Sequence, residues 1–330
     1  MLRLAPFALL VPATLDEAIA QLAEHGSGAR VLAGGTDVLP TLKLGLPPRA
    51  TVLVSLRRLT ELRGVSRQGD ELVLGAGATL DEISLDPRVR ASLPALAEAA
   101  ASAASPQLRR MGTLGGNLCL DTRCQYVNQS ELFREALGGC LKSHGDACHV
   151  VPGGQDCVAA LSCDTLPALV AYEARVELRG PGGTRVVPVE EIRASDGAAP
   201  LRLGASEIVT RVRVRIPPPT TLCAARKWSV RRAIDFPLVS LAVRLDRAQS
   251  GAVTGGKLVL GALGPKPKVA LLDDLAGSAL DEALAARVGQ IAFAQAKTLP
   301  NLPYDPAYRR ERAAVEARRA VRSLLARSGS

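Results

Sequence analysis

Aromatic side chains are scarce. They make up 3% of 330 residues, with a single Trp, too few for a platform that stacks single-stranded nucleic acid. Histidine is scarcer still, at three residues. His25 falls at a helix end, and His144 and His149 flank Cys148, where either is a polar loop residue or, as the less favoured reading, a ligand. The chain carries no nucleophile elbow, no zincin pair and no kinase motif set. It also shows no convincing acid–base pair for bond-making on an organic substrate, which favours an electron carrier over a self-contained hydrolase or transferase. There is neither a Gly-x-Gly-x-x-Gly fingerprint nor a Walker loop. No apolar run approaches the roughly 18 residues that read as a membrane span. Met1-Leu2-Arg3 leads into a short apolar run broken by Pro12, with no cleavage region, so no secretory leader is expected and the expected compartment is cytoplasmic.

What is present describes a folded chain of more than one domain. Apolar residues form 47% of the sequence and charged ones 22%, enough for a sizeable core. The 30 Gly and 22 Pro imply many turns. The net charge is +9, and much of it sits late, on Arg309, Arg310, Arg312, Arg318, Arg319, Arg322 and Arg327. These are expected on one helix as a solvated or subunit-facing surface, with no nucleic-acid role.

Periodicity and punctuation place the elements. Thr14 with Glu17 fits a capping box ahead of the apolar stripe Leu15, Ala18, Ile19 and Leu22. Ala29–Ala33 reads as a strand and Val38–Leu44 as a short helix. An alanine-rich helix is expected over Leu93–Ala104, ended by Pro106. Alternation marks strands over Ala174–Arg179 and Glu207–Ile216. Pro217-Pro218-Pro219 is the clearest domain boundary. Beyond it, three strands are expected around Thr221–Trp228, Leu238–Leu245 and Val253–Gly261. Lys227, Arg231, Arg232 and Asp235 form a polar stretch. A largely helical Leu271–Ala296 and a last helix over Tyr308–Leu325 follow. The resulting division is 1–55, 56–217 and 220–330, an α+β organisation.

Two loops look chemical. Gly34-Gly35-Thr36-Asp37 follows a strand and precedes a helix, so its backbone can approach an anionic ligand closely. Gly112-Thr113-Leu114-Gly115-Gly116-Asn117 repeats Gly-Gly beside Thr. Either alone is weak; together they suit the two sides of a nucleotide cofactor. After the second loop comes a long irregular stretch, about 120–162, of the kind that is functional or pinned when it occurs in a compact domain. Six of the seven cysteines fall within or beside it: Cys119, Cys124, Cys140, Cys148, Cys157 and Cys163. Structural zinc, an iron–sulfur centre and free thiols all remain open on spacing alone, since C-x15-C-x7-C-x8-C matches no familiar finger or ferredoxin run. Cys223 lies in an expected strand and reads as a buried thiol.

The paired loops, Lys43, the Leu166-Pro167-Ala168-Leu169 helix after Asp164, and Lys227 with the Leu260-Gly261-Ala262-Leu263-Gly264 turn resemble the FAD-binding medium subunits of molybdenum hydroxylases, the xanthine dehydrogenase and carbon monoxide dehydrogenase family. The resemblance spans nearly the whole chain. It implies an FAD-binding PCMH-type domain of two α/β subdomains, followed by a small α+β domain like the CO dehydrogenase flavoprotein C-terminal domain. It further implies FAD held by Leu32, Ala33, Gly34, Gly35, Thr36, Asp37 and Lys43 on one side. Thr113, Gly115, Gly116 and Asn117 would hold the other, with Asp164 and Lys227 nearby. The cysteine insert departs from most such subunits and is similar to that of the 4-hydroxybenzoyl-CoA reductase type. That likeness implies a 4Fe–4S cluster on Cys124, Cys140, Cys148 and Cys157. Electrons would run from ferredoxin through the cluster and FAD to two 2Fe–2S centres on a small subunit. They would end at molybdopterin cytosine dinucleotide on a large subunit, where an aromatic acyl-CoA is dehydroxylated, in a dimer of heterotrimers. The competing expectations are a flavin subunit of another molybdenum hydroxylase acting oxidatively, a stand-alone flavin oxidoreductase, and a zinc-stabilised scaffold subunit.

Overall fold

A computed structural model describes residues 3–46, 49–231 and 233–328. Met1 and Leu2 of the opening and Arg232 of the polar stretch lie outside these. Three parallel strands, β1 (Ala8–Leu10), β2 (Ala29–Leu32) and β3 (Val52–Ser55), form a first sheet in the order β1-β3-β2. The helix Leu15–His25 packs Leu15, Ala18, Ile19 and Leu22 against Val54. Thr14 caps it by accepting from the Glu17 amide at 3.1 Å. The Glu17 carboxylate reaches back to the Ala13 amide at 2.7 Å instead of to Thr14, so the box closes one residue early.

Strands β4 (Val65–Gln68) and β5 (Glu71–Gly75) open a second sheet. A short ladder, β6 (Thr122–Arg123) with β7 (Ala160–Leu161), then brackets the insert. Strands β8 (Arg175–Gly180), β9 (Gly183–Pro188) and β10 (Ile208–Arg215) complete the second sheet in the order β4-β5-β10-β8-β9. Its inward residues Leu72, Leu74, Val176, Leu178, Val212 and Val214 are buried with the alanine-rich helix. The intervening Arg211, Arg213 and Arg215 pair with Glu177, Glu71 and Asp70. That is the alternation expected of a sheet with one wet face. The alanine-rich helix is shorter than expected, Pro94–Ser102. Pro106 does not end it; Ser105 caps a separate short helix, Pro106–Arg109, in which Pro106 takes the first turn, where its missing N–H costs nothing.

The C-terminal layer has four antiparallel strands where three were expected: β11 (Leu222–Trp228), β12 (Val239–Arg247), β13 (Val253–Gly261) and β14 (Lys268–Leu271). Lys268–Leu271 is a short edge strand, so the helix expected to start at Leu271 begins only at Glu282 and runs to Gln295. The last helix, Pro306–Ser328, packs on this sheet. Not all of its arginines face water. Arg309 is fully buried. Its guanidinium donates to the carbonyls of Leu238, Leu299 and Ala262, and to Asn301 Oδ1, at 2.8–3.3 Å. Burial depresses its pKa to about 10. Asn301 in turn donates to Val158 O at 2.7 Å, and the Gln125 amide donates to Asn301 O at 2.8 Å. The insert is thereby fastened to the C-terminal layer. Among the described residues no helix is long and apolar enough to cross a membrane.

Candidate functional site

The two glycine loops meet. Gly34 sits so close to the second loop that a Cβ there would fall 1.9 Å from the Met111 carbonyl oxygen, and Gly35 adopts φ 73°, which suits glycine. The second loop is pinned from behind by a third glycine run, Gly75–Thr79. The Leu114 and Gly115 amides donate to Ala78 O and Ala76 O, and the Leu80 amide to Gly112 O, all at 2.8–2.9 Å. A Cβ on Gly115 would lie 2.8 Å from that of Ala76. Thr113 caps the helix Leu114–Leu118 by accepting from the Gly116 amide at 3.1 Å. Asn117 is buried, and its Oδ1 accepts from the Thr165 hydroxyl (2.7 Å), the Thr165 amide (3.2 Å) and Cys163 Sγ (3.1 Å). This ties the second loop to the far side of the insert.

Between the loops opens a cavity of about 720 Å³, within the size range of cofactor pockets. Ala33, Gly34, Gly35, Thr36 and Asp37 line one wall, and Thr113, Gly115, Gly116 and Asn117 another, with Asp164 between them. Leu32 ends β2 just behind the first loop. Lys43 is exposed at the end of the helix Val38–Lys43 and is not part of the lining. Lys227 stands behind Asp164: its Nζ lies 2.9 Å from Asp164 Oδ1. It also donates to Ser102 O (3.1 Å) and Asp235 O (2.9 Å). Asp164 Oδ1 is thus held in a buried ion pair with Lys227. Burial raises the Asp164 pKa, against the pull of Lys227.

Ser162 and Phe236 of the wall carried no sequence signal. Ser162 is fully buried and its Oγ has no partner. An unpartnered buried hydroxyl, Ser162 Oγ, on a residue that lines the cavity is what a polar ligand would satisfy. Phe236 and Asp235 arrive from the loop after β11, so the C-terminal layer forms part of the wall. Gly77 belongs to the Gly75–Thr79 run, which the sequence marks only as a turn. Arg57, Arg63 and Arg110 add positive charge to the lining.

The expected iron–sulfur site is not formed. Cys124, Cys140 and Cys157 share a small apolar cluster with Leu46, Val127 and Ala159, and Cys148 is near enough to Cys124 to influence its charge. Yet among the described residues no three His, Cys, Asp or Glu side chains are arranged to hold a metal ion. Burial raises the Cys124 pKa and takes that of Cys157 to about 11. Cys140 Sγ lies 3.4 Å from Ser143 Oγ, and Cys148 Sγ accepts from the Val151 amide at 3.4 Å. His149 bonds Gly139 O and packs near Tyr126. The relay from ferredoxin through a 4Fe–4S cluster, and the 4-hydroxybenzoyl-CoA reductase assignment that rested on it, are therefore corrected.

The comparisons agree with the correction. Residues 5–219 match the FAD binding domain in molybdopterin dehydrogenase, and residues 224–324 the CO dehydrogenase flavoprotein C-terminal domain. The carbon monoxide dehydrogenase medium chain of Afipia carboxidovorans is 29% identical over 326 residues, 96% of each chain. That of Hydrogenophaga pseudoflava is 34% identical over 180 residues, 54% of this chain and 49% of the relative. The solved carbon monoxide dehydrogenase from Hydrogenophaga pseudoflava superposes with a TM-score of 0.79 at 26% identity, covering 98% of this chain and 99% of that one. With a family match over most of its length, the chain belongs to the FAD-binding medium subunits of the molybdopterin-dependent, CO dehydrogenase-like hydroxylases.

Proposed function

We propose that this chain binds FAD in the cavity between its glycine loops and passes electrons between a molybdenum centre and an external acceptor, as the flavin subunit of a hydroxylase that oxidises its substrate on another chain. The observation that carries the reading is a cavity of about 720 Å³ between two loops whose Gly34 and Gly115 have no room for a Cβ, with the buried Ser162 Oγ unpartnered in its lining. When bound, FAD supplies both hydride and single-electron chemistry. The chain's own residues bind and orient it. Ala33, Gly34, Gly35, Thr36 and Asp37 present backbone to the diphosphate, with Leu32 behind them at the end of β2, and Arg57, Arg63 and Arg110 add positive charge nearby. Thr113, Gly115, Gly116 and Asn117 form the opposite wall. Ser162 and Asp164 supply hydrogen-bond acceptors, and Lys227 holds the Asp164 charge. Lys43, outside the lining, acts at most from the rim.

The same reading divides the chain at about 55 and at Pro217–Pro219, the latter at the end of the first family match. It gives the chain a large molybdopterin subunit and a small 2Fe–2S subunit as partners, in a dimer of heterotrimers located in the cytoplasm. Titration of the flavin-free full chain tests the cofactor assignment. FAD should bind with quenching of its fluorescence, while FMN and NAD, which each lack part of the flavin–adenine frame, should not compete. Failure of FAD to bind would overturn the reading.

A further inference from the structure

The insert brings two cations against the cavity wall. Arg123, on β6 at the start of the insert, forms an ion pair with Asp37 of the first glycine loop. Its guanidinium also lies 3.8 Å from the centroid of the Phe236 ring, which belongs to the C-terminal layer. Lys142, from the middle of the insert, is 6% exposed. Its Nζ bonds Asp121 Oδ1 (2.6 Å), Thr122 Oγ1 (2.9 Å) and Gly197 O (2.6 Å). Both carboxylates partnered in this way, Asp37 and Asp121, line the large cavity. Left unpaired, each would repel an anionic ligand across a partly desolvated gap.

We propose that the insert is an electrostatic part of the cofactor site. Arg123 and Lys142 are positioning residues that cancel the charges of Asp37 and Asp121, so that the cavity admits a dinucleotide diphosphate. Arg123 further joins the first loop, the insert and the C-terminal layer at one point. The inference rests on the FAD reading above but assigns to the insert a role that reading does not require. It also gives this irregular stretch a function that does not depend on a metal.

The test is FAD affinity of the full chain, measured by fluorescence titration at low and high salt, with thermal unfolding as a folding control. R123Q and K142M should each weaken FAD binding about ten-fold at low salt, and high salt should shrink the loss. R123K should stay near the parent chain. Removing the stranded carboxylate should restore binding, in D37N/R123Q and in D121N/K142M. The single variants D37N and D121N should bind FAD more tightly than the parent, which keeps the test open if K142M fails to fold. A parent chain that binds FAD, with R123Q and K142M unchanged or the double variants no better than the singles, would overturn the inference alone. A parent chain that binds no FAD would remove both it and the reading beneath it.

Discussion

At the scale of single residues the site depends on atoms that are missing and on charges that are matched. Gly34 has the most direct consequence. Gly34→Ala places a methyl group 1.9 Å from a backbone oxygen of the opposite loop, so the loops must part. The variant is expected to retain little flavin on purification while keeping its far-ultraviolet circular dichroism. Full flavin occupancy would show that the loops do not need to touch. Lys227→Met removes the positive charge paired with buried Asp164. Breaking a buried pair in this way costs about 3–5 kcal/mol, read as the drop in unfolding free energy at neutral pH. The pH dependence has a definite sign. Burial holds the folded-state pKa of Asp164 above the ordinary 3.8, and losing Lys227 raises it further. The folded state then keeps a proton that the unfolded state releases, so stability should fall as pH rises through that window. A variant equally stable at pH 4 and pH 7 would contradict this. Ser162 shows the limit of sequence reading at this scale. Asp164 two residues on is marked by its resemblance, but Ser162 itself is not, because its importance comes from lying in the wall of a cavity whose other walls come from distant segments.

Elements were legible where one local interaction decides them. Thr14 caps the helix Leu15–His25 as its sequence indicates, and the strand Val253–Gly261 lies where its apolar pattern puts it. Elements that depend on a distant neighbour were not. Lys268–Leu271 is a four-residue edge strand stabilised by pairing with β13, and without that partner its sequence merges into the following helix. Pro106 stops one helix in the sequence and starts another in the structure, because both outcomes satisfy the same fixed φ. The cysteine insert is the sharpest case. Spacing puts cysteines near one another along the chain, but whether their sulfurs converge as a ligand set is decided by tertiary packing. Asp86 offers a prediction at this scale. It caps the helix Pro87–Ser92 by accepting from the Arg88 and Val89 amides at 2.8 and 3.3 Å. The hydrogen bond from the Arg88 side chain lowers its pKa below 3.8. Asp86→Ala should cost about 1 kcal/mol of unfolding free energy at pH 7. Because the folded-state pKa is lowered, that contribution is present above 3.8 and fades as pH falls through the lower folded value. The gap between variant and parent should therefore close in acid, and a gap that persists there would exclude the carboxylate as its source.

At the scale of the whole molecule, the large cavity is lined from the first glycine loop, the second and the C-terminal layer, and the insert is tied to both of its flanks. Arg309 and Asn301 fasten the C-terminal layer to the segment that returns from the insert. Arg309→Met strands several buried acceptors at once. It is expected to cost about 3 kcal/mol or more, and to increase protease cleavage within 120–162 before the rest of the chain is cut. Cleavage at the same rate as in the parent would show that this anchor does not hold the insert. The family and the two-part α+β plan could be read from paired loops whose order and chemistry survive in the sequence. The fate of the cysteines could not, since nothing in the sequence fixes where the insert packs.

The central claim is that the cavity between the two glycine loops holds FAD. Its most direct test is the flavin content of the purified full-length chain, by absorption spectrum and by identification of the cofactor released on denaturation. The account predicts about one FAD per chain, lost in Gly34→Ala. A colourless chain that takes up no FAD when it is supplied would contradict it.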